Sequence, residues 1–419
     1  MQRVGKRKRE GDDAAGGVSA PAAAAVSTST SNAGHYEVSL GENLSPRYKV
    51  LASLGQGTFA RVLECWDRTL KDVVAVKVIR DIPKYRDASK VEIRILRRLA
   101  AADPDDAMHV VRLRHTFEYK NHVCLVYDRL GLSLFDMLRK NRFQPFSTAQ
   151  IKGFATQLIA AAGFLHGTMQ LVHTDLKPEN ILLCDAGYEK VVDTASGIAY
   201  RIPTTDRIQV IDFGSAVSMT AAGRRGIICT RHYRAPEVIL GLTWSYPVDM
   251  WSIGCILVEL YTGRALFQTS DDAEHLAMIE LVNGPMPRGF VERAGHGQRA
   301  QFFVDTPRAQ GEESLLKKPS VAEGSRGGHC AKLSELIEHE GLRDLLECLF
   351  AYDPAKRITA AEAAKHAFLV REEEPNNIVC PKEEGKCELG GEKEAVDLTA
   401  EEEDLTRDMA AVEVPALAS

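Results

Sequence analysis

The sequence predicts an α+β chain, a small antiparallel sheet joined to a larger helical body. Three observations carry this. Short apolar runs rich in Val and Leu recur between residues 48 and 127. One helical stretch interrupts them, from about Ala88 to Ala101, with Val91, Ile95 and Leu99 at helical spacing. Past Gly131 the apolar period becomes that of helices.

Taken in order, Tyr48 to Leu54, Arg61 to Trp66 and Val73 to Ile79 read as three antiparallel strands separated by Gly or Lys-Asp turns. Val110 to Glu118 and His122 to Tyr127 supply two more strands. Helices follow at Ser133 to Lys140, Thr148 to His166, Val248 to Thr262 and Leu342 to Ala351. Two stretches read as insertions. In Asp185 to Gln209, Lys190-Val191-Val192 and Ile198-Ala199-Tyr200 flank Ser196-Gly197 as the arms of a hairpin would. Pro285 to about Lys332 is rich in Gly, Pro, Arg and Ser. The chain thus divides into an arm (1–46), a folded body (47–370, its sheet part 47–130 and helical part 131–370, with inserts at about 185–209 and 285–332) and a tail (371–419).

At 419 residues, 45% hydrophobic and 26% charged, the chain can bury a core without disulfides or metals. Its longest apolar stretch, Met250 to Leu260, contains Glu259 and falls short of the roughly 20 residues a membrane span needs. The start, Met1-Gln2-Arg3, lacks an apolar leader, so neither membrane insertion nor secretion is expected. The nine cysteines form no Cys-x-x-Cys pair and read as scattered thiols, not zinc ligands or bridges. The net charge of −6 is unevenly spread. The arm holds five basic and five acidic residues, and the tail fifteen acidic and five basic. Taking the tail's −10 from the whole leaves +4 on the body. Arm and tail are too poor in apolar residues to offset ordering entropy, so both are expected to be disordered. Lys6-Arg7-Lys8-Arg9 has the form of a nuclear localisation signal, and no aromatic interleaving points to direct nucleic-acid binding.

Four motifs carry chemistry. Leu54-Gly55-Gln56-Gly57-Thr58-Phe59-Ala60-Arg61-Val62 lies between two predicted strands, where glycines let backbone N–H groups approach phosphates. Because a strand follows, this is a poor dinucleotide fingerprint, and Ala60 stands at the third glycine position. Val74-Ala75-Val76-Lys77 ends beside that loop, and Glu92 on the following helix can hold the Lys77 ammonium against α- and β-phosphates. His173-Thr174-Asp175-Leu176-Lys177-Pro178-Glu179-Asn180 places three functional groups in one loop. Asp175 can accept a hydroxyl proton, Lys177 can neutralise a γ-phosphate, and Asn180 can ligate Mg²⁺. Ile211-Asp212-Phe213-Gly214 follows an apolar strand and offers Asp212 as a second Mg²⁺ ligand. Downstream, Glu237 of Arg234-Ala235-Pro236-Glu237 has Arg357 as a natural buried partner.

In this order the motifs resemble the eukaryotic protein kinases over about residues 47–370. The resemblance implies a bilobal protein kinase fold, with the active site in the cleft between a small β-rich N-lobe and a larger helical C-lobe. It assigns catalysis to Lys77, Glu92, Asp175 and Lys177, and metal binding to Asn180 and Asp212. Val62, Ala75 and Leu182 match the positions that sandwich adenine, Asp128 to Leu130 the hinge, and Tyr127 the gatekeeper. Thr230-Arg231-His232-Tyr233-Arg234 before Ala235-Pro236-Glu237 resembles the CMGC group. His-Thr-Asp at 173–175, Glu274-His275-Leu276-Ala277-Met278-Ile279-Glu280 and the insert at 185–209 are similar to the LAMMER, or CLK, kinases. Ile279, Leu281 and Tyr127 depart from that family's Met, Arg and Phe. The resemblance implies ATP and Mg²⁺ as cofactors. It also implies a monomeric catalytic domain acting on Ser or Thr, and on Tyr in the dual-specificity case, of nuclear proteins. Glu179 stands where basophilic kinases bind an Arg before the acceptor, which points to basic, Arg/Ser-rich substrates such as splicing factors. Thr174 replaces the Arg that usually clamps an activation-loop phosphate, and Ser215 to Cys229 contains no Tyr. Activity independent of phosphorylation in that loop is therefore expected.

Overall fold

The computed structural model describes residues 34–192, 199–219, 223–304, 316–317 and 331–370. Strands β1 (Tyr48–Gln56), β2 (Ala60–Asp67), β3 (Asp72–Ile79), β4 (Leu113–Tyr119) and β5 (His122–Asp128) form one antiparallel sheet in the order β1-β2-β3-β5-β4. Helix α1 (Pro83–Ala102) lies between β3 and β4 in sequence. It starts more than one turn before the predicted Ala88, because Pro83 suits a first turn whose N–H groups have no helical partner. Its buried face is Ser89, Glu92, Ile95, Leu96 and Leu99, and Val91 is 44% exposed. The expected stripe is corrected accordingly: Val91 is one residue, about 100°, away from Glu92, and Glu92 is the side chain turned inward. Val110, predicted to start a strand, instead makes a parallel bridge to Val210, and β4 begins at Leu113.

The expectation of disorder throughout 1–46 fails for its last part. Residues 34–46 form a strap across the outer face of the sheet, with Tyr36 and Leu44 buried against Tyr48, Val50, Leu63, Cys65, Val74, Val76, Val78, Cys124 and Val126. Glu42 accepts hydrogen bonds from Tyr36, from Tyr119 (2.6 Å) and from Lys120 (2.7 Å). The Gly34 carbonyl accepts from Asp81 N at 2.7 Å. Averaged over the whole arm the composition is polar, but these few apolar side chains suffice to cover an otherwise bare sheet face. Lys6 to Arg9 and the acidic tail lie outside the described residues.

Beyond Gly131 come α2 (Leu134–Lys140), α3 (Thr148–Gly163), β6 (Leu171–Val172), β7 (Ile181–Leu183), β8 (Tyr188–Val192), β9 (Ala199–Pro203), β10 (Ile208–Val210) and β11 (Val217–Ser218). These are followed by α4 (Pro236–Ile239), α5 (Pro247–Thr262) and α6 (Asp272–Asn283). Short helices α7 (Arg288–Val291), α8 (His296–Phe302), α9 (Leu333–Leu336), α10 (Glu340–Leu349), α11 (Ala360–Ala363) and α12 (Ala367–Val370) complete the described body. The small pairs β6–β11, β7–β10 and β8–β9 are all antiparallel. The last is the predicted hairpin, and its tip at Ser196-Gly197 lies outside the described residues. Ser133 and Ser147 cap α2 and α3 through their side chains. The predicted helix to His166 loosens after Gly163 into a wider turn over Phe164–Thr168.

Helix α5 is buried on every side from Val248 to Leu260, the mark of a central core helix. Phe267 and Phe350 pack on its Trp251, and Glu237 meets Arg357 beside Trp251 with both side chains fully buried. The LAMMER-like segment forms α6, whose His275, Leu276, Met278, Ile279 and Val282 are buried. Ile279 fills a core position as a Met would, and Leu281 is at the surface. Six cysteines among the described residues are free thiols. No helix among the described residues is long and apolar enough to cross a membrane.

Candidate active site

Strand alternation delivers Lys77 to the cleft. Val74, Val76 and Val78 face the strap side of β3, so Ala75 and Lys77 face the other way. Lys77 Nζ donates to Glu92 Oε1 and to Asp212 Oδ1, both at 2.8 Å. Burial disfavours the ammonium, but the two carboxylates outweigh it and hold Lys77 charged, above the usual lysine range. Asp212 is held below the usual carboxylate range: burial alone would raise it, and Lys77 reverses that. Asp212 has φ +63°, a left-handed conformation that costs a non-glycine residue roughly 1–2 kcal/mol. It opens the turn Phe213–Ser215, which packs against α1 and buries Phe213 edge-on to His173 at 5.1 Å.

The loop before β7 is held from below by Asp249 of α5. Its carboxylate accepts from His173 N (2.8 Å), Thr174 N (3.0 Å) and His166 Nε2 (2.9 Å). Thr174, at φ +68°, donates its hydroxyl to Ser215 O at 2.8 Å. So anchored, Asp175 presents its carboxylate at the floor of the cleft. Its Oδ1 accepts from Thr230 Oγ1 at 2.7 Å and from Thr230 N at 3.2 Å, and Lys177 Nζ lies 3.1 Å from Oδ2. Lys177 also donates to Thr230 Oγ1 at 3.1 Å. Asn180 Nδ2 donates to Asp175 O at 2.8 Å, which leaves its Oδ1 as acceptor or ligand. Ile211 N bonds Asn180 O at 2.9 Å, so the segments bearing Asn180 and Asp212 are adjacent.

The Gly-rich turn between β1 and β2 closes through Gly57 N to Ala60 O at 2.9 Å. Ala60 is buried opposite Ile79, so the departure from glycine places a methyl group in the core and leaves the loop open. Leu54, Gly55, Gln56, Gly57, Thr58 and Phe59 are exposed, and Arg61 turns away to Gln56 and the Tyr36 carbonyl. Val62 lies on the cleft face of β2 and pairs with Lys77, and Ala75 pairs with Tyr127. Leu182 bridges Ser133 just beyond the hinge. In the hinge, Leu130 is buried, Arg114 grips Asp128 Oδ2 at 2.7 and 3.0 Å, and Arg129 meets Glu64 at 2.7 Å.

The sequence-predicted groups therefore converge on one cleft. Sequence reasoning passed over Asp249 and quoted Thr230 and Tyr233 only as part of a CMGC-like run. Asp249 and Thr230 position Asp175, and the Tyr233 hydroxyl donates to buried Glu259 at 2.7 Å. The available signal for Asp249 and Glu259 was a pair of carboxylates within an otherwise apolar helical run.

Comparison with known proteins agrees with this geometry. The family model for the protein kinase domain matches residues 48–369. Serine/threonine-protein kinase AFC3 of Arabidopsis thaliana is 45% identical over 343 residues, 80% of this chain and 85% of its own. Dual specificity protein kinase CLK2 of Homo sapiens is 40% identical over 348 residues, covering 82% of this chain and 68% of the relative. A crystal structure of a kinase domain superposes with a TM-score of 0.71 at 35% identity, over 80% of this chain and 99% of that one. With a lysine–carboxylate pair under a Gly-rich turn and an aspartate floor beneath it, the chain belongs to the protein kinase family, in the branch of the AFC and CLK kinases.

Proposed function

We propose that the protein transfers the γ-phosphoryl group of ATP, with Mg²⁺, to Ser or Thr hydroxyls flanked by basic residues in nuclear proteins. The observation that carries the phosphotransfer is the meeting of Lys77, Glu92, Asp212, Asp175, Lys177 and Asn180 in one cleft. The nucleotide reading is supported by Gly55 and Gly57. Neither has a positive φ, and a Cβ on Gly55 would meet nothing within 4 Å, so the fold itself makes no demand for glycine there. Close approach of a phosphate does. Asp212 and Asn180 offer two hard oxygen donors. This suits Mg²⁺, which takes one or two protein oxygens and completes its shell with phosphate and water. When bound there, the ion would supply charge neutralisation at the phosphates. Lys77, fixed by Glu92, orients the α- and β-phosphates, Lys177 neutralises the transferred group, and Asp175 Oδ1 receives the acceptor hydroxyl's proton.

Substrate preference rests on Glu179, exposed beside that loop, and on Glu259 beneath it. Burial, reinforced by the charge of Glu179, pushes the Glu259 carboxyl up to about 7. An incoming guanidinium would relieve that repulsion and offer fork geometry to both carboxylates. Glu179→Gln is expected to lower kcat/KM about tenfold for a Ser peptide with Arg two or three residues before the acceptor. An Ala-substituted peptide should be affected less than twofold. Equal losses on both peptides would sink the basic-substrate reading.

Nuclear residence is supported by Lys6-Arg7-Lys8-Arg9. Removing residues 1–10 from a fluorescent fusion is expected to move the signal into the cytoplasm, and an unchanged nuclear signal would refute this assignment.

A further inference from the structure

The strip of chain that precedes Ala235-Pro236-Glu237 carries two arginines that converge on one carboxylate. Arg231 donates through a guanidinium N–H to Asp272 Oδ1, and Arg234 approaches the same oxygen at 3.8 Å. Arg234 also holds the segment's backbone, donating from Nε to Ile228 O (3.0 Å) and from its terminal nitrogen to Cys229 O (3.1 Å). The next residue, Thr230, makes the 2.7 Å bond to Asp175. Asp272 thus lies at one end of a chain of contacts whose other end is the proton-accepting carboxylate. It stands in the first turn of α6, whose N-cap is Asp271 and whose buried residues fix it to the core. Arg231 and Arg234 repel each other, and after burial that repulsion is the larger influence holding Arg234 below its ordinary range. The ring of His275 near both is buried and neutral and supplies no counter-charge.

Activation segments are commonly ordered by phosphorylation, in which a new anion gathers arginines. We infer that Asp272 is a built-in substitute for such an anion, a positioning residue that gathers Arg231 and Arg234 and holds Ile228–Thr230 against Asp175 without any phosphate. The inference rests on the phosphotransfer reading above and explains how the segment stays ordered when Thr174 replaces an arginine and the loop lacks Tyr.

The ion pair is about a third exposed, so its loss should move the thermal midpoint by no more than about 2 °C. Its effect should appear instead in substrate handling. In phosphatase-treated full-length protein, Asp272→Ala is expected to lower kcat/KM for a basic Ser peptide about tenfold, the order of one lost charge-assisted hydrogen bond. KM for ATP should not change. Asp272→Glu should recover to within about twofold, and Asp272→Ala combined with Arg231→Ala should be no worse than Arg231→Ala alone. Hydrogen exchange over residues 224–234 should quicken in Asp272→Ala and in the isosteric Asp272→Asn. This readout needs no turnover, so an error in the substrate reading leaves it intact. Unchanged exchange and unchanged kcat/KM in Asp272→Ala, or multiplying losses in the double variant, would overturn the inference, as would loss of wild-type activity on phosphatase treatment.

Discussion

Asp175→Asn is expected to lower kcat by about 10²- to 10⁴-fold, the range for removing a positioned general base. KM for ATP and the thermal midpoint should stay close to those of the unsubstituted protein. The substitution preserves shape. An Asn oxygen can still accept from Thr230 Oγ1 and N, which lie 2.7 and 3.2 Å from Asp175 Oδ1. The floor of the cleft would keep its form, because Asp249 fixes His173 and Thr174 from beneath. What disappears is the negative charge that pairs with Lys177 at 3.1 Å and the capacity to take a proton. Single-turnover assays with saturating ATP and peptide isolate the chemical step. Retention of more than half the rate would show that the acceptor proton goes elsewhere.

The second large effect falls on stability. Arg357→Ala should destabilise the fold by about 3–5 kcal/mol, the cost of stranding one member of a buried ion pair. Arg357 and Glu237 are both fully inaccessible, and their fork closes at 2.7 and 3.0 Å. The same guanidinium satisfies Pro247 O (2.9 Å) and Ala351 O (3.1 Å) and lies over the Trp251 ring at 5.0 Å. Removing it leaves a buried carboxylate and two carbonyls without their donor, in a protein whose total margin is on the order of 5–15 kcal/mol. Urea titration followed by tryptophan fluorescence measures this directly. Adding Glu237→Gln should recover part of the loss, and a loss under about 1 kcal/mol in the single variant would contradict the assignment.

The legible part of this chain was the part whose chemistry is local. The five strands of the sheet, the capped helices after Gly131 and the motifs around Lys77, Asp175 and Asp212 are written in short contiguous runs, so spacing marked the elements and the resemblance carried by the motifs marked the groups. Partnerships between distant segments were not legible. Asp249 supports His173 and Thr174 from 76 and 75 positions away. In sequence it is one acid in an apolar helix. Val91 matched the helical period but points outward, because the face of α1 is set by what Glu92 must reach. Ordering in 34–46 was hidden for a similar reason: Tyr36 and Leu44 are apolar residues in a polar stretch, and their value depends on a sheet that forms later in the chain.

That strap bears on how the catalytic unit can be cut out for study. A fragment beginning at Arg47, the boundary suggested by composition, would lose Tyr36 and Leu44 and uncover apolar side chains from four strands. A bare sheet face of that kind invites self-association, so such a fragment would be prone to precipitate for reasons unrelated to catalysis. It would also deprive Tyr119 and Lys120 of the Glu42 carboxylate they share. The minimal soluble unit therefore starts no later than Gly34, whose carbonyl ties the beginning of the strap to Asp81 at the approach to α1.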